Sequence, residues 1–217
     1  MMQPVNIDAQ IESLLAIVIQ QFELVDELIM NGFQESVYQQ LQENEEHINR
    51  LDTAITQTVL MVMILQMPKA SMFRKTLASY EVILFLEQTG NVLMNITDHI
   101  QDADLNSSDY AYFKTVLRNM LISIKLFCNT VLIAFLKNDK EQVHQLLDKE
   151  VFLEKMLKEV SENIVNAFQE IPLTKQELTN IVAISFIARL IKKIEDNVFD
   201  ILKLAIFAFE GIDVRHK

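Results

Sequence analysis

Asp102-Ala103-Asp104-Leu105-Asn106-Ser107-Ser108 lies almost at the midpoint of a 217-residue chain. Short polar side chains compete with the backbone for hydrogen bonds, so this stretch reads as a linker. The punctuation on its two sides matches. Upstream, Asn6 or Asp8 caps a first helix with Ile11, Leu14, Leu15, Val18, Phe22, Val25 and Ile29 at helical spacing, and Asn31-Gly32 stops it. A second helix runs from about Glu35 to Leu65. Pro68 forces a break, and a third helix runs from about Ser71 to Ile100. Downstream, a helix from about Asp109 to Lys137 stops at Asn138-Asp139, and another spans Lys140 to about Gln169. Pro172 breaks the chain again, and Thr174 with Glu177 forms a capping box that opens a last helix to about Glu210.

The spacing therefore predicts an all-α protein of six long helices: two tandem three-helix bundles, residues 1–102 and 109–217, joined by 103–108. Sliding the chain on itself supports an internal duplication. At an offset of 105, Leu41 meets Leu146, Ile48 meets Leu153, Ile55 meets Val160, Ala78 meets Ala183, Val82 meets Ile187, Leu86 meets Ile191 and Ile96 meets Ile201. The turn prolines, Pro68 and Pro172, pair at 104. Helices of this length on short loops pack up-down-up at shallow angles, giving two bundles side by side.

Composition agrees. Half of the residues are hydrophobic, with 3 Gly and 3 Pro, and mean hydropathy is +0.18, which suits long helices around a large core. The longest apolar run, Val59 to Leu65, is far short of the roughly 20 residues of a span, so no transmembrane helix is expected. The N-terminus has neither the basic start nor the small-residue cleavage site of a signal peptide. Cys128 is the single cysteine and sits among apolar neighbours, so it is expected to be buried and inert. These features place the protein in the cytoplasm. The net charge is −11, and all of it falls in the first half: residues 1–105 carry 4 Lys+Arg and 15 Asp+Glu, while residues 106–217 carry 15 of each. A nucleic-acid binder needs a basic stripe to neutralise phosphates, so no nucleic-acid partner is expected.

The repeat also aligns polar pairs. Glu45 and Asn49 share a face of the second helix, as do Glu87 and Asn91 on the third. Their counterparts are Glu150 and Glu154, then Lys192 and Asp196. Two facing helices would gather oxygen ligands suited to hard or first-row metals. The same four-residue spacing also describes an ordinary solvated face. Glu141 and His144 form one E-x-x-H, but Ser36 and Gln39 stand at the equivalent positions, and a di-iron bundle needs two such motifs. His47, His99 and His216 show no ligand spacing, and no nucleophile elbow or Gly-rich phosphate loop is present, so no enzyme is expected. Met61, Met63, Met67 and Met72 cluster around the first proline turn, either as core filling or as an adaptable partner surface.

Glu45-Glu46-His47-Ile48-Asn49-Arg50-Leu51 and Leu86-Glu87-Gln88-Thr89-Gly90-Asn91, followed by Asn95-Ile96, resemble the paired acidic motifs of the PhoU family of phosphate-signalling regulators. Ile191-Lys192-Lys193-Ile194-Glu195-Asp196 with Asp200-Ile201, and the ending Glu210-Gly211-Ile212-Asp213-Val214-Arg215-His216, are similar to that family as well. The resemblance implies two three-helix repeats, each holding metal through E(D)-x-x-x-D motifs. It implies a non-enzymatic cytoplasmic regulator, peripheral at the inner membrane, whose partner is an ABC-type phosphate transporter or a sodium/phosphate cotransporter, or a sensor histidine kinase. A homodimer is compatible with it. Carried over, the first-half metal set is Glu45, Asn49, Glu87 and Asn91, for a divalent or iron-type ion, and the second-half set is Glu150, Glu154 and Asp196. Asn49 and Asn91 stand where the family prefers Asp, which weakens the first site. Lys192 replaces an acid in the second, where it is expected to salt-bridge the carboxylates and leave no metal. A helical scaffold unrelated to phosphate, or a carboxylate-bundle metal protein, would share the same periodicity.

Overall fold

A computed structural model describes residues 6–147, 152–169 and 172–212. Among these there are seven α-helices and no strand. Helix α1 spans Ile7–Asn31. Asn6 is its cap, accepting the Ala9 N–H at 3.2 Å, and Gly32 ends it at φ 80°, where a side chain would be strained. Helix α2, Glu35–Met61, runs on into a π-helical turn, Val62–Gln66. Met67 then takes a left-handed conformation, and α3 follows over Ala70–Asp102. After the linker, a short 3-10 turn over Ser108–Tyr110 leads into α4, Ala111–Lys137, which left-handed Asn138 ends. The expected helix from Lys140 to Gln169 is described as two, α5 over Lys140–Leu147 and α6 over Phe152–Phe168; residues 148–151 lie outside the described set. Helix α7, Lys175–Glu210, opens on the predicted capping box.

The positions matched at an offset of 105 are core positions in both repeats: Leu41 and Leu146, Ile48 and Leu153, Ile55 and Val160, Val82 and Ile187, and Leu86 and Ile191 are all buried. Within each repeat the third helix is the one the others pack on, α1 and α2 on α3, and α4, α5 and α6 on α7. The repeats are not merely side by side. α3 packs on α7 more extensively than on any helix of its own repeat, α1 packs on α4, and one hydrophobic core runs through both bundles. Both cross-repeat pairs are antiparallel. Arg118 meets Asp26 at 3.0 Å while Lys125, further along α4, meets Glu23, earlier in α1, at 3.4 Å. Along α3 and α7, the Gln176 amide donates to the Asp102 carbonyl near one end, His99 stacks on Phe186 and Phe85 faces Ile201. The two proline turns therefore lie at opposite ends of the molecule. The linker is held down by Asn180, which is buried and bonds both backbone groups of Asp104, accepting its N–H at 2.9 Å and donating to its carbonyl at 2.7 Å.

Two helical stretches, Glu35–Gln66 and Ser108–Lys137, are long and apolar enough on average to cross a membrane, because mean apolarity survives the polar residues that interrupt a continuous run. In the second stretch Leu117, Leu121, Ile124, Val131, Leu132 and Phe135 are buried in the shared core. In the first, only 28% of the most apolar window is buried.

Candidate functional site

Of the polar residues named for the first repeat, Glu45 reaches a gap in α3, while Glu87 pairs with Asn91 on the outer side. Gly90 is buried, and a Cβ there would lie 2.9 Å from Glu45 Oε2, 3.1 Å from Gln21 Oε1 and 3.1 Å from Ile48 Cδ1. The missing side chain is what lets α1 and α2 bring Gln21 and Glu45 against α3. The Gln21 amide, fully buried, donates to Glu45 Oε2 at 3.4 Å. Glu45 Oε1 and Gln21 Oε1 are buried without a hydrogen-bond partner among the described residues. Burial holds the Glu45 carboxyl above its ordinary range. The Gln21 hydrogen bond opposes this, the Glu87 charge adds to it, and a bond to Asn49 opposes it. On the outer side, the exposed Asn91 amide donates to Glu87 Oε1 at 2.6 Å.

Among the described residues no three Asp, Glu, His or Cys side chains converge as a metal site would require. The first-repeat donors are two carboxylates and amides, and one carboxylate oxygen of Glu87 is already held by Asn91. This set does not fit a multinuclear cluster, which needs several bridging carboxylates; one oxygen-coordinated ion between Glu45 and Glu87 is the most it could hold.

The second repeat solves the same position differently. Lys192 pairs with Asp196, and its ammonium lies 3.4 Å from Glu195 Oε2. Glu195 is 5% exposed and accepts the Leu153 N–H, at the start of α6, at 3.3 Å. Burial raises its pKa, against the Leu153 hydrogen bond and the Lys192 charge. Burial alone would depress the Lys192 pKa, but Asp196 and Glu195 more than reverse this and raise it. The expected salt bridge is therefore present, with an acid the sequence reading did not single out. Glu154 is exposed on α6, and Glu150 lies outside the described residues. Gln21 and Glu195 are the two residues missed. The offset of 105 carries a signal for the second, since it sets Glu195 opposite Gly90, a position where a Cβ would press on Glu45 and Gln21.

The other candidates separate. His144 lies 3.0 Å from Glu210, while Glu141 accepts from Gln145, so the E-x-x-H pair does not converge. Cys128 is fully buried, and burial pushes its thiol up to about 12, which keeps it protonated and inert.

Comparison with known proteins agrees with this architecture. Residues 11–100 match the PhoU domain family. The fold is similar to the crystal structure of PhoU from Pseudomonas aeruginosa, with a TM-score of 0.78 and 15% identity over 95% of this chain and 96% of that one. It is also similar to the phosphate transport system regulatory protein PhoU from Streptococcus pneumoniae, with a TM-score of 0.68 and 15% identity over 96% and 99%. Among curated proteins no sequence matches. The family's sequence pattern thus matches the first repeat, and the fold is similar to that of the two PhoU structures over nearly the whole length.

Proposed function

We propose that the protein regulates phosphate transport from the cytoplasmic side of the inner membrane, by binding and without catalysis. The observation that carries this reading is the PhoU domain match over residues 11–100, within a fold similar to that of a pneumococcal phosphate transport system regulatory protein. The partner is a phosphate transporter, ABC-type or sodium/phosphate cotransporter, or a sensor histidine kinase. The chemistry of the chain supports a binding role: its one thiol is buried and protonated, and half-buried Glu45 and buried Glu195 are held by amide, backbone and ammonium donors. Any metal belongs to the first repeat, as one ion between Glu45 and Glu87, because Lys192 already pairs with Asp196 and Glu195 in the second. Deleting the gene should alter phosphate uptake or phosphate-responsive gene expression, and no change in either would sink the reading. Co-purification from the native cell should recover a phosphate transporter or a kinase; recovery of an unrelated complex instead would favour a scaffold role.

A further inference from the structure

From residue 53 to residue 80 the chain contains no Asp or Glu, although the half it belongs to carries 15 of them. The same stretch holds Lys69, Arg74 and Lys75, three of the four cations of residues 1–105. It forms the end of α2, the π-helical turn and the start of α3. Leu60, Met61, Ile64, Leu65, Met67, Met72 and Phe73 are all exposed there, with Ile64, Leu65 and Met67 at 67%, 69% and 76%. At about 200 Å² for a fully exposed large side chain, this patch is on the order of 800 Å², above the roughly 300–600 Å² of the largest patch on a typical monomer. Met67 and Ala70 both sit at φ 43°, a conformation that strains residues with a Cβ, and this strained reversal is what presents Met67 outward.

We propose that this tip is a membrane-contact surface that seats its apolar side chains in the interface of an anionic bilayer. Three observations select a lipid surface over a protein groove. The patch is the end of two helices joined by a reversal, with its most exposed side chains, Ile64, Leu65 and Met67, at the turn itself, which suits a fluid plane. Its charge is opposite to that of an anionic leaflet and to that of the rest of its own repeat, and acids further off are screened beyond about 8 Å at physiological salt. Its depth is also right, since Leu60 to Gln66 covers about 10 Å of helix, comparable to the roughly 5–10 Å by which interfacial helices enter. The polar first half of α2, with Glu43, Glu45, Glu46 and Arg50, packs on α1 and α3 and stops the helix from going deeper. Lys69 is exposed to meet headgroups, whereas Lys75 is engaged by Asp8 at 2.8 Å. At the opposite end, the turn after Pro172 carries Glu177 beside Lys175 and has no such bias. This inference is independent of the regulatory reading.

Flotation of the full chain with vesicles tests it. The chain should float with phosphatidylcholine vesicles containing phosphatidylglycerol, far less with phosphatidylcholine alone, and less at high salt. Ile64→Asp with Leu65→Asp should cut partitioning at least about tenfold, and Lys69→Glu on the order of tenfold, with helical content unchanged because these side chains are exposed. The chain has no Trp, so Leu65→Trp is a unique reporter whose emission should shift blue on the anionic vesicles. Absence of flotation, flotation indifferent to these substitutions, or an unshifted reporter would overturn the proposal. Capture of a protein through the same residues without vesicle binding would overturn it too, and make the tip a protein-docking surface.

Discussion

Gly90→Ala isolates the packing on which the first-repeat cluster depends. In an ordinary helix interior the change is favourable by about 1 kcal/mol, because Ala loses less backbone freedom than Gly. At Gly90 the new methyl would stand 2.9 Å from Glu45 Oε2 and 3.1 Å from both Gln21 Oε1 and Ile48 Cδ1. Ile48 is fully buried and Gln21 is locked in the core, so Glu45, half-buried at the end of a flexible side chain, is the group that yields. Its departure leaves the Gln21 amide buried without an acceptor, at about 1–3 kcal/mol, and residual crowding against Ile48 costs about 1 kcal/mol more. The net expectation is a loss of about 2 kcal/mol, which for a chain of this size lowers Tm by roughly 4–8 °C. Thermal unfolding followed by circular dichroism measures it. Glu45→Ala supplies the control, since with the carboxylate gone the second substitution should cost far less than in the native chain. A Gly90→Ala variant as stable as the native chain or more so, or a cost that is the same in both backgrounds, would refute the packing argument.

Three further outcomes follow from the same geometry. Glu45 holds its proton more tightly folded than unfolded, so the native state loses stability as pH rises through that range; Glu45→Gln should therefore be more stable than the native chain at neutral pH, with the gain vanishing below the ordinary value of 4.5, as Tm measured between about pH 4 and 8 would show. Lys192→Met removes the cation from a Glu195 that burial already disfavours as an anion, and should cost about 3 kcal/mol at neutral pH. The Glu195 pKa then rises further, so that loss should shrink as pH falls into the ordinary carboxyl range, and a pH-independent loss in denaturant titrations would contradict it. Asn180→Ala strips both backbone partners from Asp104 and should cost about 2 kcal/mol, with faster amide exchange in the linker as its local signature.

What the sequence showed of this fold was what is decided locally. Helix ends at Gly32, Asn138, Pro172 and the Thr174–Glu177 box depend on backbone conformations and caps belonging to a few neighbouring residues, so they could be read directly. The apolar offset of 105 showed which faces are buried, since a repeated core must repeat its apolar positions. How the repeats dock was not legible. α3 and α7 are each apolar over a broad arc, and nothing in the spacing says that part of the arc serves the other repeat. Gln21 was missed for a similar reason. A single Gln in an apolar helix face gives no sign that it meets an acid from the next helix through a gap left by a glycine in the third. The methionines around Pro68 were ambiguous because spacing alone does not separate core from tip, and Met61, Met67 and Met72 prove exposed while Met63 packs against the core.

The two repeats therefore share a backbone but not its electrostatics, and the difference turns on one aligned position. Where the first repeat has Gly90, the acid is supplied across the gap from α2, is held by a neutral amide, and keeps an oxygen without a partner. Where the second has Glu195, the helix supplies the acid itself, spends one oxygen on the start of α6 and neutralises the other with Lys192 one turn earlier. A buried carboxylate matched to an ammonium and a backbone N–H has little left to offer a cation from solution, whereas half-buried Glu45, matched only to amides, keeps a free lone pair. Sensitivity to metal ions should thus reside in the first repeat, the same one that holds the net negative charge and, at its far end, the cationic apolar tip. The second repeat, internally neutral, is left to brace α3 through α7.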